Sequence, residues 1–386
     1  MSGDAAVAPE RTDDERLARV ALSRLTEPGD PKIASLVAQL GAVRLRALLS
    51  DPSRDTPESR DVASRLASVD PARDLDQASR QGIRYVVPGD AEWPRRLDDL
   101  QRGEALDHRG GPPLGLWAAG PTRLDRLDAS VAVVGARSAT TYGAAIASSI
   151  AGTLVRAGHP VVSGAAFGID RAAHRGALAV EGATIAVLAC GADRSYPSAH
   201  RDLLDHLRRT SAVVSEVPLG GAPMRGRFLS RNRLIAALTR GTVVVEAAAR
   251  SGALSTAGWA TRLNRPVMGV PGPVTSAQSE GVHELIRSGA ATLVTRGEEV
   301  LELVSESGEH LSAPPRAPSR RRDRLSAREA RVLDAVPLAT ARPVDSIAAT
   351  AGMALLDVDR SLRRLHRDGL VEQMPRGWRL TSEAGS

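Results

Sequence analysis

At 386 residues, with 42% hydrophobic and 25% charged side chains, the chain is too long for one compact module and too apolar to be disordered throughout. One cysteine, Cys190, excludes an internal disulfide framework and a cysteine-rich zinc site, and no apolar run approaches the roughly 18 residues of a membrane helix. The net charge of +6 is carried almost wholly by arginine, Lys32 being the only lysine, and its distribution along the chain says more than its size.

The opening stretch (MSGDAAVAPERTDDER) is polar and acidic, unlike a secretory signal, so the expected location is the cytoplasm. Apolar residues then recur at helical spacing in Leu17, Val20, Ala21 and Leu25, and again in Ile33, Leu36, Val37 and Leu40. Breaks such as EPGDP and LSDPS separate them. Residues 1–75 therefore read as a small helical domain of SAM or helix-hairpin-helix type.

From about residue 80 short apolar runs alternate with helical patterns. The runs Val131–Val134, Val161–Ser163, Ile185–Ala189, Ala212–Ser215, Val243–Val245 and Val267–Val270 predict strands. Ala144–Arg156, Ile169–Val180, Ala199–Arg208, Leu229–Leu238 and Ser255–Leu263 predict the helices between them. Repeated β-α units with continuously apolar strands indicate an α/β domain over residues 80–305, a Rossmann-like doubly wound parallel sheet. Ligands on such sheets bind beyond the carboxyl ends of the strands, so the residues after each strand are the candidates.

The first strand leads into Gly135-Ala-Arg137-Ser-Ala-Thr140, a small-residue loop entering a helix. Its free N–H groups and the helix dipole suit an anion, and Arg137 adds a bidentate phosphate donor. The spacing departs from G-x-G-x-x-G and the next strand ends in Ser163 rather than an acid for a ribose, which argues against a dinucleotide; no cofactor is expected. After the second strand, Gly164 and Gly168 allow close backbone approach. Asp170 there reads as a helix cap, with His174 one turn later as a partner either for acid–base chemistry or for a local hydrogen bond. Cys190 has no nearby histidine and reads as a core thiol.

The fourth connection carries the strongest signal. Pro223–Arg233 places Arg225, Arg227, Arg231 and Arg233 around Phe228, in a chain with two phenylalanines. From Val217 to Ser279 eight arginines face a single acid, Glu246, a local +7 that exceeds the net charge of the whole chain. Arginines that track phosphates beside a ring that stacks a base are the elements of single-strand binding. The fifth strand opens into Arg250-Ser251-Gly252, a second anion cradle. Together these ends predict DNA across the carboxyl edge, with Arg137, Arg225, Arg231 and Arg233 on phosphates, Asn232 beside them, Phe228 on a base and Arg250–Gly252 donating backbone N–H groups.

Residues 306–324 (ESGEHLSAPPRAPSRRRDR) read as a linker. Beyond it, over 325–386, Ala327–Val336, Val344–Ala351 and Ala354–Asp368 predict three helices, followed by two short strands around Gly369–Gln373 and Gly377–Leu380, the layout of a winged helix.

Taken together, VVGARSATTYG, SGAAFGIDRAAHRGAL, SEVPLG, FLSRNRLIAAL, VVVEAAARSGALSTA and VPGPV…GVHELIRSGA, in this order over about residues 80–295, resemble the DprA/Smf family of DNA-processing proteins. The resemblance implies an extended Rossmann-like domain that binds single-stranded DNA during natural transformation, forms homodimers and loads RecA recombinase, without a catalytic role. It also implies DNA contacts at Arg137, Arg225 and Phe228. The chain departs from the family pattern with Leu229 after Phe228 where proline is usual, Arg225 where lysine is commoner, and His283 where asparagine stands.

Two other readings compete. A nucleotide N-glycosidic hydrolase of LOG type needs a Pro-Gly-Gly-x-Gly-Thr loop followed by a carboxylate; Ala247–Thr256 lacks the glycine pair, leaving only Glu246 and Glu216 as candidates. A double-strand reader would use the last C-terminal helix, but Asp357, Asp359 and Asp368 there accompany Arg360, Arg363, Arg364 and Arg367.

Overall fold

The computed structural model describes residues 9–51, 56–106, 108–306, 308–311 and 321–382, in two compact units that divide between Ser312 and Ala313. Most of the expected 306–324 linker lies outside the described residues.

The first unit opens with helices α1 (Pro9–Leu25), α2 (Pro31–Leu40), α3 (Ala42–Leu49), α4 (Pro57–Ala67) and α5 (Pro71–Arg80). Three of them start alike: Asp30, Thr56 and Asp70 accept hydrogen bonds from first-turn N–H groups, and each is followed by a proline whose missing N–H costs nothing there. These helices belong to the same unit as the sheet. Arg16 pairs with Asp90 at 2.9 Å, while Val20 and Ala78 are buried with Ile83, Tyr85 and Trp117.

Among the described residues the sheet has nine strands: β1 (Ile83–Val86), β2 (Leu116–Ala119), β3 (Val131–Val134), β4 (Val161–Ser163), β5 (Thr184–Leu188), β6 (Ala212–Ser215), β7 (Thr242–Val244), β8 (Val267–Gly269) and β9 (Thr292–Leu293). Their spatial order is β1-β2-β6-β5-β4-β3-β7-β8-β9. From β6 to β9 every pairing is parallel, as the apolar runs predict. The other edge differs from a purely parallel sheet: β2 runs antiparallel to β6, and β1 antiparallel to β2. Helices α6 (Thr141–Arg156), α7 (Ile169–Leu178), α8 (Arg201–Thr210), α9 (Arg225–Leu238), α10 (Gly252–Arg262), α11 (Glu280–Arg287) and α12 (Gly297–Val304) complete the unit. One core gathers α9 and α10 and includes the buried Trp259; another gathers α6, α7 and α12.

The connectivity decides where a ligand can sit. After β3 the chain adds β4, β5 and β6 on one side, then returns to place β7 against the other side of β3. The loops that leave β3 and β7 diverge to opposite sides, opening a crevice at the strand ends.

The second unit contains α13 (Ala327–Ala335), α14 (Val344–Ala351), α15 (Leu355–Arg367) and a two-stranded antiparallel sheet of β10 (Val371–Met374) and β11 (Gly377–Leu380), with Trp378 in its core. Among the described residues no helix is long and apolar enough to cross a membrane.

Candidate nucleic-acid interface

The floor of the crevice is built by close approach. A side chain at Gly135 would lie 2.8 Å from the Glu246 carbonyl and 2.6 Å from Ile169, so glycine there lets the exit of β3 pack on the exit of β7. The Ala136 N–H donates to that same carbonyl at 2.6 Å. The buried Glu246 carboxylate accepts from the Thr140 N–H at 2.9 Å and from its hydroxyl, and Thr140 caps α6. Glu246 is thus a strut between two loops, with both oxygens occupied.

Helix α9 starts at Arg225, so Arg225 and Phe228 stand in its first turn rather than in the loop that the run of glycine and arginine suggests. No side chain caps this start; Met224 precedes it in extended conformation. The Phe228 ring is half-buried, with the Arg137 guanidinium 4.9 Å and the Arg231 guanidinium 5.9 Å from its centre. Both distances lie within cation–π range. Tyr196 stands at 5.7 Å on the same ring.

Arg231 is 7% exposed. Its Nη1 donates to the Gly164 carbonyl at 2.7 Å and the Val187 carbonyl at 2.9 Å, and its Nε to Asn232 Oδ1. A Cβ at Gly164 would fall 1.9 Å from Nη1, so Gly164 makes room for this side chain. Asp170, also buried, accepts from the Gly164 and Ala166 N–H groups. Burial pushes its carboxyl pKa up, and the nearby Arg231 charge and these two bonds oppose the shift. Asn232 donates to the Gly252 carbonyl at 3.1 Å, tying α9 to the start of α10. Ser251 caps α10, and nothing lies within 4 Å of the place a Gly252 side chain would occupy, so that terminus is open.

These parts enclose a cleft of about 470 Å³. Gly135, Arg137, Phe228, Arg231, Asn232, Arg250, Ser251 and Gly252 all line it. Arg225 is exposed at the start of the same helix. Ser138, Ala166, Thr256 and Gln278 also line the cleft; the first three fall within the small-residue segments that enter helices, and Gln278 lies in a segment with no such signal.

Arg233 requires a correction. It is wholly buried, held by the Glu216 carboxylate through two bonds of 2.7 Å and by the Gly111 carbonyl at 3.0 Å, and it does not reach the cleft. Arg227 is likewise engaged, with Glu27 at 2.7 and 2.8 Å. Two of the four arginines that look unopposed along the chain are therefore neutralised by acids that the fold brings in. Arg137, Arg225 and Arg250 are exposed and make no ion pair among the described residues.

His174 and Cys190 are both buried. His174 does not pair with Asp170; its Nδ1 donates to Thr184 Oγ1 at 2.7 Å, and burial drives its pKa down to about 3. Burial lifts the Cys190 thiol to about 11, far from a reactive thiolate. Among the described residues no three His, Cys, Asp or Glu side chains gather as a metal site.

A cleft with cationic walls, an aromatic platform and an open helix terminus can hold a chain of phosphates and bases. The family model for DNA recombination-mediator protein A matches residues 84–305, more than half of the chain. A putative DNA processing protein DprA of Mycobacterium tuberculosis is 42% identical over 362 residues, 93% of this chain and 92% of the relative. Protein Smf of Escherichia coli is 38% identical over 64% of this chain and 67% of its own length. Among solved structures, DNA processing protein A of Streptococcus pneumoniae superposes with a TM-score of 0.62 at 31% identity, over 76% of this chain and 98% of that one. The Helicobacter pylori protein, described for its single-stranded DNA binding mode, superposes with a TM-score of 0.50 at 27% identity, over 56% and 94%.

Proposed function

The chain belongs to the DNA recombination-mediator protein A family, and from that membership we propose that it binds single-stranded DNA in the cleft between the ends of β3 and β7 and hands the strand to RecA recombinase. The observation that carries this reading is the set of three exposed arginines without a counter-charge among the described residues, Arg137, Arg225 and Arg250, with Arg137 over a half-buried Phe228 in a cleft that Arg250 also lines. Arg137, Arg225 and Arg250 hold successive phosphates, Arg231 supplies a fixed positive floor, the Ser251–Gly252 terminus donates N–H groups, and Phe228 stacks a base. The protein acts in the cytoplasm as a homodimer, protects the incoming strand and does no bond-breaking chemistry. In the domain plan that goes with this role, residues 1–75 are a helical domain, 80–305 the DNA-binding domain, 306–324 a linker and 325–386 a winged helix with an auxiliary part.

The test is affinity for a single-stranded oligonucleotide against its own duplex, followed by RecA filament assembly on that strand with and without the protein. Strand-selective, salt-steep binding and faster assembly are expected. Equal or duplex-preferring binding would move the function to the second unit, and binding without any effect on RecA would leave strand protection alone.

A further inference from the structure

The chain is poor in aromatic residues: four tryptophans, three tyrosines and two phenylalanines. All four tryptophans and Tyr85 are buried, none more than 5% exposed. The remaining four rings share one location. Tyr142 follows β3, Phe167 follows β4, Tyr196 follows β5 and Phe228 follows β6, each between a parallel strand's carboxyl end and the first turn of the next helix. Those four strands are neighbours in the sheet, so the rings form a row across its carboxyl edge. One exposed ring needs no explanation. Placement of every accessible ring on the edge that holds the cleft does.

Phe167 is the ring whose position is least explained by packing. It is 43% exposed, yet its neighbours are fixed. Ala165 takes a left-handed φ of 52° and Gly168 one of 76°, and a side chain at Gly168 would strike the Ala136 and Arg137 carbonyls. The buried His200 donates from Nδ1 to the Ala165 carbonyl at 2.9 Å and meets the Phe167 ring edge-to-face at 4.6 Å. Ala166, one residue before, lines the cleft. A strained, braced turn thus holds an apolar ring to solvent next to Gly168, which abuts the backbone of Arg137, whose guanidinium stands over Phe228. A pre-ordered ring binds a base without the entropy of fixing it first.

We infer that Phe167 is a second base-stacking platform, so that single-stranded DNA runs from Phe228 past Arg137 and onward across the end of β4. The inference rests on the proposed DNA binding in the cleft. Phe167→Ala should weaken binding of a long oligothymidylate by at least about fivefold while leaving the salt dependence unchanged, because stacking releases no counterions. Phe167→Trp should restore the affinity. It also places the one exposed tryptophan of the chain at the site, and its fluorescence should fall on binding oligothymidylate. Unchanged affinity in Phe167→Ala, or a Phe167→Trp variant that still binds without quenching, while Arg137→Ala weakens binding, overturns this platform and leaves the cleft reading standing. A wild-type protein that binds no single strand overturns both.

Discussion

Helix α9 carries two kinds of arginine on one short segment. Arg225 is exposed in the first turn and Arg231 lines the cleft beside Phe228, whereas Arg227 and Arg233 are absorbed by Glu27 and Glu216. Arg225 is left to meet an anion and Arg231 is fixed by the Gly164 and Val187 carbonyls, whereas the second pair holds the N-terminal helices and the end of β6 against the helix. A run of like charge in a sequence is therefore a poor measure of field: what counts is which residues the fold leaves without a counter-charge.

The largest effect expected from breaking this contrast is on stability. Arg233 is buried and its charge is met only inside the protein, so Arg233→Ala strands the Glu216 carboxylate and should cost about 3–5 kcal/mol in chemical denaturation. Little change in stability would show that Arg233 is not the structural member of the pair of groups. Phe228→Ala comes next, with about 1–3 kcal/mol of single-strand affinity lost and the midpoint of denaturation nearly kept. If it instead melts the protein while the residual folded fraction binds normally, the ring is core. The smallest effect belongs to Glu27→Gln. The Glu27–Arg227 pair is half in solvent, so its loss should cost under about 1 kcal/mol and leave DNA affinity intact. Its hydrogen bond to Arg227 holds the Glu27 pKa below the ordinary carboxylate range. A lowered carboxyl pKa gives stability that is present at neutral pH and is lost as pH falls through the acid range. The wild type should therefore show slightly more acid loss than Glu27→Gln in a denaturation series over pH.

His174 adds a separate acid response. Its folded-state pKa is depressed to about 3 by burial, so the unfolded chain takes up the proton first. Stability should decline as pH drops from the ordinary imidazole range toward 3, and His174→Gln should flatten that decline in thermal melts.

Much of this arrangement is legible in the sequence, for identifiable reasons. Strands β3, β4 and β6 match the apolar runs residue for residue because each is buried on both faces and bounded by polar, proline or glycine residues. The antiparallel edge is not legible in the same way: Ile83–Val86 contains Arg84, whose guanidinium reaches across to Glu92, and β2 continues a proline-rich loop. The first turn of α9 is hidden by Gly226, Arg225 and Arg227, which locally read as loop, and by the lack of a capping side chain. The cleft itself follows from strand order, and its cradles are recognisable as small-residue loops. The fate of Arg227 is not, since Glu27 lies 200 residues away and no local pattern announces a partner so remote; Arg233 meets Glu216 only 17 residues back, but across the turn from β6 to α9, which the charge count does not reveal.

The most direct test of the account compares the salt dependence of single-strand affinity in the wild type, Arg137→Ala and Arg227→Ala. Arg137 faces the cleft without a counter-charge among the described residues, so its removal should lower the slope of log K against log salt by about 0.7, the value for one single-strand phosphate contact, equally across sequences. Arg227 is engaged by Glu27, so its removal should leave the slope unchanged. An unchanged slope in Arg137→Ala, or an equal fall in both variants, would contradict the division of the arginines on which the interface rests.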